Sequence, residues 1–180
     1  VVWHMSCSYK RHLYFKGGSM MAYHKVQDIL ELVESFHKQM RQALDRVSQE
    51  ADAESVEWLS RQLRQHELHW QAALSGYEKR VAEGVLDTWL QYFPDEEIRR
   101  QIDSIVIRRD MTLDELTDLN VRFRQALIDL YETLSQASSA PRVHELFEQL
   151  KEHELAVVSK QSRKQQDSEL VESSSHKKVS

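Results

Sequence analysis

Cysteine is almost missing from this chain. Cys7 is the single one in 180 residues, which excludes an internal disulfide framework and any zinc site built on cysteines. Proline (2) and glycine (4) are as scarce, leaving little turn chemistry for a many-stranded sheet. No uninterrupted apolar run approaches the roughly 20 residues that a membrane-spanning helix needs. The net charge is -5, whereas neutralising phosphates takes a basic face, so nucleic acid is not expected as the principal partner. There is no Gly-rich phosphate loop, no Gly-x-Ser-x-Gly and no His-Glu-x-x-His. His66-Glu67-Leu68-His69 falls one residue short of the last of these, and only histidines at i, i+4 share a helix face. What remains is 41% hydrophobic and 29% charged, ordinary for a globular protein and dominated by Leu, Glu, Gln, Arg and Ala, which favour helix. The length suits one domain, and a soluble, cytoplasmic, all-α protein is the expectation.

The chain repeats itself. Gln62-Leu63-Arg64-Gln65-His66-Glu67-Leu68 returns 87 residues later as Gln149-Leu150-Lys151-Glu152-His153-Glu154-Leu155. The same ungapped offset pairs Leu32 with Leu119, Phe36 with Phe123, Val56 with Val143 and Leu59 with Leu146. A repeat of this period sets the architecture before any single element does. Its unit reads as a long helix, a polar turn and a second long helix, present twice.

Taken in order, residues 1–20 resemble the protease-site linker that joins tags to recombinant proteins, through Leu13-Tyr14-Phe15-Lys16-Gly17-Gly18-Ser19-Met20 with lysine where glutamine is usual. They are set aside from fold reasoning, and the domain is read over residues 21–160. A first helix is predicted over about 24–49, with Ile29, Leu32, Val33, Phe36, Met40, Ala43, Leu44 and Val47 on one buried stripe. After a polar break at 52–55, a second helix over about 55–83 points Val56, Leu59, Leu63, His66, Glu67, Trp70 and Leu74 inward. Two polar residues thus sit inside an apolar face. Gly84 suits a helix C-terminal cap. The aromatic-rich stretch from Leu86 to Phe93 is expected to pack across the helices, and Pro94 to start a short helix, giving a helical crossover. Thr112 and Glu115 have the spacing of a capping box. A third helix over about 113–136 buries Leu116, Leu119, Phe123, Ala126, Leu127, Leu130, Tyr131 and Leu134. Pro141 opens the fourth, which carries Val143, Leu146, Leu150, His153, Glu154, Val157 and Val158. Residues 161–180 lack periodicity and are expected to form a flexible tail.

Two repeated αα-hairpins joined by a crossover resemble the plan of the ferritin-like superfamily. Phe123-Arg124-Gln125-Ala126-Leu127-Ile128-Asp129-Leu130-Tyr131 is similar to a rubrerythrin-like third helix, and Leu146-Phe147-Glu148-Gln149-Leu150 with His153-Glu154 to the fourth. The resemblance implies a four-helix bundle whose core holds two iron or manganese ions, through one carboxylate from each of two helices and a Glu-x-x-His pair from each of the others. Glu67 and Glu154 match the glutamates of those pairs. Trp70 and Val157 stand where their histidines would be, and His37 and Arg124 where the lone carboxylates would be.

Two readings of the core follow. In one, Glu67, Glu154, His37, His66 and His153 form an altered metal site for iron, manganese or zinc, in a divergent rubrerythrin-like oxidoreductase or metal-storage protein. Against it stands Arg124, a permanent cation at the centre of that site. In the other, preferred here, the buried acids pair with Arg124 because unpaired buried charge is costly. His66 and His153 are then core histidines, no cofactor is held, and the protein acts through contacts with an unidentified protein partner and as a homodimer. A third class is a bundle binding a small ligand between Trp70, Tyr131 and the His-Glu pairs. His69 is expected at the surface, as are the basic pairs Arg99-Arg100 and Arg108-Arg109. Trp89, Tyr92 and Phe93 are read as core or dimer-interface residues.

Overall fold

A computed structural model of the chain describes residues 2–4, 23–78, 84–91, 98, 100–102 and 104–176. The chain is mostly helical. Four long helices, α1 (Val26–Glu50), α2 (Glu54–Glu78), α3 (Leu113–Ala137) and α4 (Pro141–His176), carry the fold. Four very short strands accompany them, which the sequence did not announce: β1 (Val2–His4), β2 (His24–Lys25), β3 (Trp89–Leu90) and β4 (Val106–Arg108). They form two antiparallel ladders, β1 with β4 and β2 with β3. No helix among the described residues is long and apolar enough to cross a membrane.

The starts of α1, α3 and α4 each have an identifiable cause. At α1 the first-turn donors are satisfied by distant backbone: Val26 N–H donates to the Thr88 carbonyl and Gln27 N–H to that of Leu86, both at 3.0 Å. These are donors that a helix leaves open at its N-terminus, so the 84–91 segment caps α1 in place of a side chain. Gly84 turns that segment with φ of +93°, a conformation glycine adopts without penalty. The C-terminal end of α2, which Gly84 was expected to cap, lies outside the described residues, as do Tyr92, Phe93, Pro94 and Arg99. At α3 the capping box is complete: Glu115 N–H donates to Thr112 Oγ1 at 3.2 Å, and Thr112 N–H to Glu115 Oε2 at 2.8 Å. Pro141 occupies the first position of α4, where its missing N–H has no intrahelical partner to lose.

Helices α1 and α2 run antiparallel, since Glu34 meets Gln71 at 3.1 Å while Asp45 meets Arg64 at 3.5 Å. Helices α3 and α4 do the same, with Arg124 on Glu154 at 2.5 Å and Ser135 on Glu148 at 2.6 Å. The helix α4 backbone continues to His176, past the Lys160 where a flexible tail was expected. Its Lys, Gln, Glu and Arg content favours helix without needing an apolar stripe.

Helix starts and buried positions of α1 and α3 recur at the 87-residue offset. Helix α1 starts at Val26 and α3 at Leu113, both 25 residues long. Eleven of the twelve buried positions of α1 have a buried counterpart 87 residues on in α3, Val26 being the exception. This places His37 and Arg124 at corresponding points of their helices, each following a buried phenylalanine. Glu67 and Glu154 correspond in the same way in α2 and α4.

Candidate functional site

Those four side chains, one from each long helix, meet in the core. His37, Glu67, Arg124 and Glu154 are each at most 2% exposed. Arg124 reaches both acids: Nη1 donates to Glu154 Oε2 at 2.5 Å, and Nη2 donates to Glu67 Oε1. His37 reaches both from the other side, with Nδ1 2.6 Å from Glu67 Oε2 and Nε2 3.7 Å from Glu154 Oε1. The result is a closed ring in which acids from α2 and α4 alternate with bases from α1 and α3. The His37 ring stacks on Trp70, centroids 3.5 Å apart at 17°, and meets the edge of Phe123 at 5.4 Å and 83°. Aromatic walls keep water out, which strengthens every charge interaction inside the ring.

The electrostatics follow from that enclosure. Burial pushes the Glu67 carboxyl up, but the charges of His37 and Arg124 and the hydrogen bonds from both outweigh it and hold it below its ordinary value. Burial likewise pushes the Arg124 guanidinium down, and Glu67 and Glu154 outweigh it in the opposite sense, so it is held above. Tyr131, one face along α3, is fully buried. Burial, reinforced by the charges of Glu154 and Glu67 and opposed by Arg124, holds its phenol well above the usual range. Among the described residues its hydroxyl, the Arg124 Nε, the His37 Nε2 and the Glu154 Oε1 have no hydrogen-bond partner.

The sequence-derived candidates separate into two groups. Glu67, Glu154, His37 and Arg124 come together. His66 and His153 do not join them: His66 is only half-buried and His153 is exposed, which corrects their reading as core histidines. Glu67 lies on the buried stripe of Leu63, Trp70 and Leu74, and Glu154 continues that of Val143, Leu146 and Leu150. Stepping back one residue turns a side chain by about 100° around the helix. His69 is exposed, as expected. Trp89 is 57% exposed and not a core residue; Lys25 Nζ sits 5.6 Å from its ring centre, while its neighbour Leu90 is buried. Arg108 pairs with Asp110 at 3.1 Å and Glu115 at 3.5 Å. Of the space considered above for a ligand, the Trp70 side is covered by the stacked His37 ring. The 610 Å³ cleft lies elsewhere, open to the surface between β4 and α3 and lined by Val106, Arg108, Met111, Glu115, Asp118 and Arg122 among others.

The sequence placed His37 with Glu67 and Glu154 only as a metal ligand, at the position after Phe36 that matches Arg124 after Phe123; its hydrogen bond to Glu67 and its stacking on Trp70 were not anticipated. The buried Phe147 and Ser60 were also left out of the inward sets. Both lie directly beside predicted stripe positions, where a helix face is wider than a single row.

A two-metal centre of the ferritin-like type needs six donors, and these residues do not fit it. Trp70 and Val157 have no metal-binding atom, and Arg124 is a fixed cation. Three of the four glutamate oxygens are committed to the guanidinium and imidazole, Glu154 Oε1 alone being left without a hydrogen-bond partner among the described residues. His37, Glu67 and Glu154 are neighbours, yet among the described residues no three His, Cys, Asp or Glu side chains form an arrangement able to hold a metal ion. Both acids are aimed at the Arg124 guanidinium. Comparison of the chain with models of protein families, with curated proteins and with solved structures gives no match.

Proposed function

We propose that this chain is a ferritin-like four-helix bundle made of two repeated hairpins, in which a salt-bridge ring stands in place of a di-metal centre. It serves a non-catalytic, accessory role through protein contacts, as a homodimer. One observation carries the reading: Arg124 donates to both Glu67 and Glu154 at the point where all four helices meet. A guanidinium supplies positive charge and geometry but no open coordination position and no redox chemistry. The helix lengths and buried positions recurring at 87 residues support the duplicated plan.

The test is the metal content of the protein purified without a histidine tag, measured together with oxygen and peroxide consumption and with sedimentation equilibrium. The expected result is no stoichiometric metal, no turnover and a dimer. Stoichiometric iron, manganese or zinc lost in a Glu67→Gln variant would replace this reading with that of a divergent rubrerythrin-like oxidoreductase or metal store.

A further inference from the structure

The ring holds Arg124 in an unusual way. Its two hydrogen bonds are made by the terminal nitrogens, Nη1 to Glu154 and Nη2 to Glu67, while Nε has no partner among the described residues. The tether to the backbone therefore contributes none of the polar contacts. The acceptors belong to α2 and α4, whereas the guanidinium arrives from α3, so removing the arginine side chain leaves both carboxylates and their supporting helices in place. His37 holds Glu67 from the far side at 2.6 Å, and Trp70 and Phe123 fix His37 in turn. Glu67 is thus positioned by a group other than the cation it binds, and Glu154 faces the same His37 ring at 3.7 Å.

We propose that the position of the Arg124 guanidinium is a cation-binding site filled from within the chain, with a small planar cation of the guanidinium class as its ligand. A free guanidinium ion can make both of the hydrogen bonds that Arg124 makes. It is also planar, with paired donors that match carboxylate oxygens. The inference rests on the geometry of the ring and not on the protein-contact role proposed above, so either can fail alone.

The test uses the full chain carrying Arg124→Ala, with thermal unfolding followed by helical circular dichroism. Guanidinium chloride at low millimolar concentration is compared with sodium chloride and with urea, the neutral molecule of nearly the same shape. A ligand that binds only the folded state raises the folded-to-unfolded ratio about tenfold at roughly ten times its dissociation constant. The expected result is such a rise for R124A with guanidinium only, no rise for the unsubstituted protein, and loss of the response when Glu67→Gln is added. Equal effects of guanidinium and urea, or no response to either, overturn the proposal. Should R124A not fold unaided, Arg124→Lys and Arg124→Met decide the matter, since the lysine keeps a cation and the methionine does not. The lysine variant is then expected to be clearly the more stable of the two, and equal stability overturns the proposal.

Discussion

Replacing Arg124 by methionine keeps most of the buried volume and removes the charge and both hydrogen bonds. Glu67 and Glu154 would then face each other in a dry core with His37 as their only remaining basic neighbour. Breaking a buried ion pair from one side costs about 3–5 kcal/mol, because the partner charge is left uncompensated. Here one guanidinium serves two acids that are each at most 1% exposed, so the upper part of that range is expected. In a chain of this length each kcal/mol moves the midpoint of thermal unfolding by about 2–4 °C, giving a fall of roughly 8–20 °C. Urea is the denaturant of choice, since guanidinium could itself enter the site. The linear dependence on urea should keep its slope while its midpoint drops. A second protein, with Arg124→Met, Glu67→Met and Glu154→Leu together, removes all three charges. It should regain most or all of the loss, because an apolar replacement of a buried ionic group is often neutral or stabilising by about 1–4 kcal/mol. If R124M costs less than about 1 kcal/mol, the range of exposed pairs, the ring does not hold the helices together and the reasoning here is wrong.

Further predictions concern other parts of the molecule. Because the folded state holds the Glu67 carboxyl below its ordinary value, the unfolded chain takes up its proton first as pH falls; that contribution is complete above about pH 4.5 and lost as pH drops through the folded value. Unfolding midpoints measured from pH 6 to pH 2.5 should show this acid limb, and it should be shallower in Glu67→Gln. Trp70→Ala opens a cavity behind the His37 ring and should cost about 3–5 kcal/mol in urea unfolding, whereas Trp70→Phe should cost distinctly less. Thr112→Ala removes an acceptor for the first turn of α3 and should cost about 1 kcal/mol. If it costs nothing measurable, the capping box at Thr112 and Glu115 is not what starts that helix.

Much of this organisation was legible in the chain itself. The stripes of α1 and α3 follow from three-and-four spacing, and the starts of α3 and α4 from local chemistry, as at Thr112-x-x-Glu115 and Pro141. The 87-residue offset at which buried positions of α1 and α3 recur needed only the sequence to be compared with itself. Even the meeting of Glu67, Glu154 and Arg124 could be anticipated, because a charge on an apolar helix face has to find an opposite charge. The α1 N-terminus could not be read this way, since its cap is the backbone of Leu86 and Thr88, some sixty residues distant. Nor could the roles of the three histidines near the glutamates. His66 and His153 adjoin them in sequence and face away from the ring, whereas His37 lies on another helix and touches both acids. Sequence proximity measures position along one helix, and the ring is assembled across four. Periodicity determined which face each helix buries, but only the packing of one hairpin against the other decided which polar groups on those faces would neutralise one another.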